Sequence, residues 1–267
     1  MPKIKINDIN LYYEQQGRGQ PIVFISGYSV DHLCWVDIPS VFSTAYQAVL
    51  LDNRGSGQSD RPDFPYSIDM LAEDVVALCE ALHLGPCHIV GSSMGGIIAQ
   101  VLAYKYPQHV RTITLCNSLM KPDIKFSLAA AATLTLIQAK ADRRALVKNM
   151  LGWIYSSNFL EQPDVVEVLI ETSLANPYPI DEVGYRNQLH AIAQVDTSAW
   201  IHQIKKPTLV LGSDQDLIVS EAHMREIARL IPSAQYYNFE GVGHLPFIER
   251  PEEFIKVVRT FIDKHST

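Results

Sequence analysis

Short apolar runs recur along the chain at Ile22-Val23-Phe24-Ile25, Ala48-Val49-Leu50-Leu51, Ile89-Val90 and Leu209-Val210-Leu211. Runs without polar alternation suit strands covered on both faces of a parallel sheet. Residues 3–7 and 10–16 do alternate, and read as two strands joined by a turn at Asp8. Between these runs the period changes. Ile68, Leu71, Val75, Leu78 and Leu82 recur at helical spacing behind Ser67, a good N-cap, and Gly85-Pro86 closes that helix. A further helix is expected over 31–46, broken or restarted by Pro39. A strand is expected over 110–115. Strand and helix alternate, which predicts an α/β fold with a doubly wound, mostly parallel sheet.

Between Asn117 and Lys206 the alternation stops. Residues 128–139, 141–155, 165–174 and 181–195 read as helices, with Pro163, Pro177 and Pro179 between them. The insertion directly follows a strand end, so a helical cap over the sheet's active edge is expected. The domains expected are a core of residues 1–118 and 205–267 and a cap of residues 119–204. The alternation then resumes with a strand over 208–211, a helix over 221–231, a strand over 235–239 and an amphipathic helix over 251–264.

The stretch Ile89-Val90-Gly91-Ser92-Ser93-Met94-Gly95-Gly96-Ile97-Ile98-Ala99 carries the clearest chemistry. A β-branched run enters a Gly-x-Ser-x-Gly and a helix-like apolar run leaves it, as a nucleophile elbow requires. Small residues at Gly91 and Gly95 let strand and helix pass closely. Such a turn lifts the Ser93 hydroxyl above the sheet and aims the Met94 N–H, at a helix N-terminus, at a developing oxyanion. Ser92 precedes the vertex and is expected to pack beneath it.

Composition narrows the partners. The 267 residues are 47% hydrophobic and 19% charged, enough for one large α/β domain. A formal net charge of −7 argues against nucleic acid or an anionic membrane as the main partner. No apolar run is long enough to span a bilayer, and the N-terminus lacks a signal-peptide core, so a cytoplasmic location is expected. Cys34, Cys79, Cys87 and Cys116 lack Cys-x-x-Cys spacing and read as reduced core thiols. The His and carboxylate residues lack the clustering of a metal site, and no dinucleotide fingerprint is present, so neither a metal nor an organic cofactor is implied.

Two later strand ends complete the pattern. Leu211 is followed by Gly212-Ser213-Asp214-Gln215-Asp216, and Phe239 by Glu240-Gly241-Val242-Gly243-His244. Nucleophile, acid and base thus come in the order Ser, Asp, His, each at the end of an expected parallel strand. Strand C-terminal ends converge on one edge of an open sheet.

With Ser26-Gly27-Tyr28, the loop from Asp52 to Asp60, the Gly91–Gly96 elbow, the Asp214/Asp216 loop and Gly243-His244, the chain resembles the α/β-hydrolase fold superfamily over nearly its full length. It is most similar to that superfamily's small-ester hydrolases and lactonases. Members usually carry His-Gly where Ser26-Gly27 stands. The resemblance implies Ser93 as nucleophile and His244 as base. Asp216 is the orienting acid, because an apolar segment follows it as in the family's acid loop. Asp214 is the alternative acid and otherwise a turn residue. Tyr28 should give the second oxyanion N–H beside Met94. Arg54 reads as a structural tie between loops. Leu119, Met120, Met150, Trp153, Tyr155 and Phe159 are candidate pocket walls.

The function expected is a serine hydrolase of small carboxylic esters or lactones, with a small-molecule substrate. The alternatives are a carbon–carbon hydrolase of ring-cleavage products and a non-catalytic small-molecule receptor on the same fold. A serine elbow disfavours the aspartate-nucleophile dehalogenases and epoxide hydrolases.

Overall fold

The computed structural model describes residues 3–232 and 234–266. Among them, eight strands form one sheet: β1 (Lys3–Ile6), β2 (Ile9–Gln16), β3 (Pro21–Ile25), β4 (Gln47–Leu51), β5 (Cys87–Ser92), β6 (Val110–Cys116), β7 (Thr208–Ser213) and β8 (Ala234–Phe239). The spatial order is β1-β2-β4-β3-β5-β6-β7-β8. The first two strands pair antiparallel and β2 runs antiparallel to β4, while every later pairing is parallel.

The unbroken apolar runs sit in the middle of this sheet and feed both of its faces. Val23 and Ile25 of β3 join one buried cluster, Ile22 and Phe24 the other; Val49 and Leu51 of β4 likewise oppose Ala48 and Leu50. Successive strand side chains point to opposite faces, so a run must be apolar throughout when both are covered. The first face is covered by α2 (Ile68–Ala81), α3 (Met94–Lys105) and α9 (Glu221–Leu230). The second is covered by α1 (Ile38–Phe42) and α11 (Pro251–Lys264).

The helix expected over 31–46 is two short pieces, a 3-10 turn at His32–Trp35 and α1. Val36, at φ 48°, ends the first, and Pro39 in the first turn of α1 leaves the second without a donor to extend backward. Ser67 caps α2 as expected, its hydroxyl accepting the Met70 N–H at 3.1 Å.

Between β6 and β7 lie α4 (Ile124–Gln138), α5 (Arg143–Ile154), α6 (Ser157–Leu160), α7 (Val165–Ala175) and α8 (Glu182–Ala193). Capping residues fix where several of them begin. Asp123 accepts from Phe126 N–H, Asp142 from Ala145 N–H and Asp181 from Gly184 N–H. The Asp123 cap starts α4 four residues ahead of the apolar pattern that suggested 128–139. Two single-turn helices, α6 and α10 (Pro246–Glu249), are too short to show periodicity in sequence.

Arg54 ties loops together. Its Nε and Nη2 meet the two oxygens of Asp74 at 2.6 and 2.8 Å, and Nη2 also reaches Asp8 at 2.9 Å. The guanidinium's hydrogen bond is the main cause holding the Asp8 carboxyl below its usual pKa. All four cysteines are free thiols. Among the described residues no helix is long and apolar enough to cross a membrane. No three His, Cys, Asp or Glu side chains among them are grouped to hold a metal ion.

Candidate active site

β5 runs into α3 through a single residue, Ser93, held at φ 52°, ψ −116°. A non-glycine residue in this region carries local strain on the order of 1–3 kcal/mol, which persists only where neighbours over-determine the backbone. Here they do. Ser93 N–H donates to the Cys116 carbonyl at 2.9 Å, and the Ser93 carbonyl accepts from Gly96 N–H and from the Ser118 hydroxyl, both at 2.9 Å. The glycines permit the close passage this needs. A Cβ on Gly91 would collide with the Gly95 carbonyl, and one on Gly95 with the Ile25 carbonyl of β3.

The loops after β7 and β8 bring Asp216 and His244 together. His244 Nδ1 and Asp216 Oδ2 are 2.7 Å apart, and both side chains are buried. The other oxygen of Asp216 accepts the N–H groups of Ile218 and Val219 at 2.7 and 2.9 Å. The carboxylate is thereby fixed in place, and Nδ1 is the imidazole nitrogen that it engages. Asp214 is engaged elsewhere: its carboxylate accepts the Gly241 N–H at 2.7 Å in an exposed turn. The geometry therefore pairs Asp216, and not Asp214, with His244. The His244 backbone is anchored too, with its N–H donating to Ile154 of α5 at 2.7 Å and its carbonyl accepting from Asn117 at 2.9 Å.

Ser93 and His244 line the same cavity. Among the described residues the Ser93 hydroxyl makes no hydrogen bond, to His244 or to any other group, although the two residues line one cavity. Among the described residues the N–H groups of Tyr28, after β3, and of Met94, at the start of α3, are likewise given to no other acceptor. They flank the serine: a Cβ on Gly27, next to Tyr28, would stand 3.2 Å from the Ser93 Cβ. Two uncommitted donors beside a nucleophile can hold an oxyanion. Ser92 departs from expectation. It is buried, but it lines the cavity, and its hydroxyl has no partner among the described residues. Cys34 also faces the cavity. Burial pushes its thiol up to about 12, so it stays protonated at neutral pH and does not rival Ser93 as a nucleophile.

The cavity has a volume of about 140 Å³. Met150 and Trp153 of α5 line it. The other four expected walls do not. Tyr155 and Phe159 pack ring against ring, tilted by 30°, within a separate apolar cluster shared by α5, α6 and α7. Leu119 and Met120 pack into the core beneath the sheet edge. The walls that the sequence reading missed come from α4 (Phe126, Ala130 and Thr133), from α8 (Tyr185) and from the acid loop (Leu217 and Ile218). The last two were accessible from sequence, because they directly follow Asp216.

A family model for the α/β hydrolase fold matches residues 20–251. The chain belongs to that family. It is 30% identical to a pyrrolizixenacetamide deacetylase of Xenorhabdus hominickii, over 98% of both chains. It is 25% identical to 3-oxoadipate enol-lactonase 2 of Acinetobacter baylyi, over 96% of this chain and 94% of that one. Its structure is similar to that of the enol-lactonase from Burkholderia xenovorans LB400, with a TM-score of 0.89 at 25% identity, over 98% of this chain and all of the other. In this chain Ser93, Asp216 and His244 all lie beyond the C-terminal ends of parallel strands, β5, β7 and β8.

Proposed function

We propose that this α/β-hydrolase cleaves small carboxylic esters or lactones through an acyl-enzyme on Ser93. The observation that carries the reading is the buried Asp216–His244 pair opening onto the same cavity as a serine at a strained strand-to-helix turn. A deacetylase and an enol-lactonase among its relatives, both named for breaking acyl bonds, support it.

The steps follow from the groups present. The Ser93 hydroxyl attacks the carbonyl carbon while His244 Nε2 takes its proton. Asp216 holds Nδ1–H and stabilises the imidazolium that forms. The carbonyl oxygen becomes an oxyanion, held by the N–H groups of Met94 and Tyr28. Collapse breaks the C–O bond, and His244 returns the proton to the departing alkoxide. Water, deprotonated by His244, then attacks the Ser93 ester; the acid leaves and the serine regains its hydrogen. In a lactone the alkoxide remains tethered, and the product is a hydroxy acid or, from an enol-lactone, its keto form.

The test is hydrolysis of p-nitrophenyl butyrate and of γ- and δ-lactones by the wild type and by Ser93→Ala. The expected result is turnover by the wild type and a loss of roughly 10⁴-fold or more in kcat for the variant. Undiminished turnover by folded Ser93→Ala would overturn the proposal.

A further inference from the structure

We propose, building on the serine-hydrolase reading, that the cavity selects uncharged, apolar acyl substrates and rejects those bearing a second, free carboxylate. Among the described residues, no Lys, Arg, Asp or Glu lines the cavity. Its walls are aromatic and aliphatic, with Phe126, Trp153, Tyr185 and Phe247 among the large ones. An ion moved into such surroundings gives up its water shell and finds no opposite charge in return.

Apart from His244, the polar side chains on the walls are hydroxyls, a thiol and an amide, and several are already engaged. The Tyr28 hydroxyl donates to the Tyr185 carbonyl at 3.0 Å, and the Thr133 hydroxyl to the Ala129 carbonyl at 3.0 Å. The Ser92 hydroxyl has no partner among the described residues, and the amide of the exposed Asn149 also lines the cavity. They can bond a neutral oxygen or nitrogen of a substrate, but they cannot neutralise a carboxylate.

The charged groups nearby do not help. A smaller cleft beyond Phe126 and Ile218 holds Lys121, Asp123 and His223. There the Asp123 carboxylate, which caps α4, adds a negative charge to the same cleft as the lysine. His223 Nε2 accepts the Met120 N–H at 3.0 Å, and burial holds its pKa down, so the ring is neutral at neutral pH. The buried Arg54 is engaged by Asp74 and Asp8. The chain as a whole carries a net charge of −7, which further disfavours an incoming anion.

A matched pair of esters tests this. p-Nitrophenyl hexanoate and mono-p-nitrophenyl adipate share a leaving group and a six-carbon acyl chain, and differ in a terminal carboxylate. The wild type should favour the hexanoate by roughly 100-fold in kcat/KM near neutral pH. Met150→Lys places a flexible cation of similar length on the wall and should narrow that ratio by about tenfold. Met150→Leu, a conservative control for the wall, should leave the ratio as in the wild type. Comparable kcat/KM for the two esters in the wild type would overturn the inference while leaving the hydrolase reading intact. Turnover of neither ester by folded wild type would overturn the hydrolase reading, and this one with it.

Discussion

Gln188 of α8 accepts the Ser29 N–H through its side-chain oxygen at 2.9 Å. The bond joins the helical insertion to the residue that follows Tyr28, whose own N–H is a proposed oxyanion donor. The amide nitrogen of Gln188 is fixed as well, donating to the Arg54 carbonyl and the Ser56 hydroxyl, both at 2.8 Å. Two more bonds clamp the same segment: Tyr28 hydroxyl to the Tyr185 carbonyl, and Asn176 to Asp31 at 2.7 Å. On the proposed mechanism Gln188 is a positioning residue. It orients a donor without touching the reacting atoms.

Gln188→Met keeps the volume and removes both ends of this brace. The expected outcome is a fall of roughly 10- to 100-fold in kcat with KM changed much less, because an oxyanion donor acts chiefly in the transition state. Gln188→Glu, which keeps the acceptor for Ser29, should recover part of the loss. Steady-state kinetics on a p-nitrophenyl ester check both. An unchanged kcat in the methionine variant would remove Gln188 from this role.

The two aspartates of the β7 loop have separable tasks. Asp216 orients His244, whereas Asp214 closes a turn through Gly241. Asp216→Asn should lower kcat by roughly 10³- to 10⁴-fold, because the amide favours the wrong imidazole tautomer. Asp214→Asn, whose amide oxygen still accepts the Gly241 N–H, should leave kcat within about twofold. Reversal of that order would reassign the acid.

A second buried aspartate–histidine pair, neither member of which lines the cavity, bears on stability. His32 Nδ1 is 2.7 Å from Asp52 Oδ1, and Nε2 is 3.3 Å from Glu14. Burial pulls the His32 pKa down, but the Asp52 hydrogen bond and the charges of Asp52, Glu14 and Asp31 outweigh it, and the pKa ends above its ordinary 6.5. A folded-state pKa above the unfolded value means that protonation favours folding. The contribution is complete below the unfolded value and is lost as pH rises through the folded pKa.

Denaturant unfolding of the wild type and His32→Asn should accordingly show a stability gap that is widest near pH ~6 and narrows toward pH ~9. A gap that widens with rising pH would contradict the assignment of a raised pKa.

What could be read from the sequence divides along physical lines. The sheet was legible because β3 and β4 must be apolar on both faces, and the positions of Ser93, Asp216 and His244 followed because Ser93 directly succeeds β5 and the other two lie in the loops that leave β7 and β8. The cavity walls were much less legible. Helix α4 has apolar residues on every side, so its pattern does not say that Phe126, Ala130 and Thr133 face inward while Ile124 and Leu128 are exposed. Aromatic identity misled in the same way: Tyr155 and Phe159 satisfy each other within the insertion. Gln188 gave no signal at all, since its role depends on a contact 159 residues away in sequence.

The central claim is that Ser93 becomes acylated, and a trapped adduct tests it most directly. Folded wild-type protein treated with a fluorophosphonate, then analysed by intact mass and peptide mapping, should carry one adduct, on Ser93. Ser93→Ala should carry none, and His244→Ala should label far more slowly. Modification of Ser92 in place of Ser93, or an adduct undiminished in Ser93→Ala, would contradict the account.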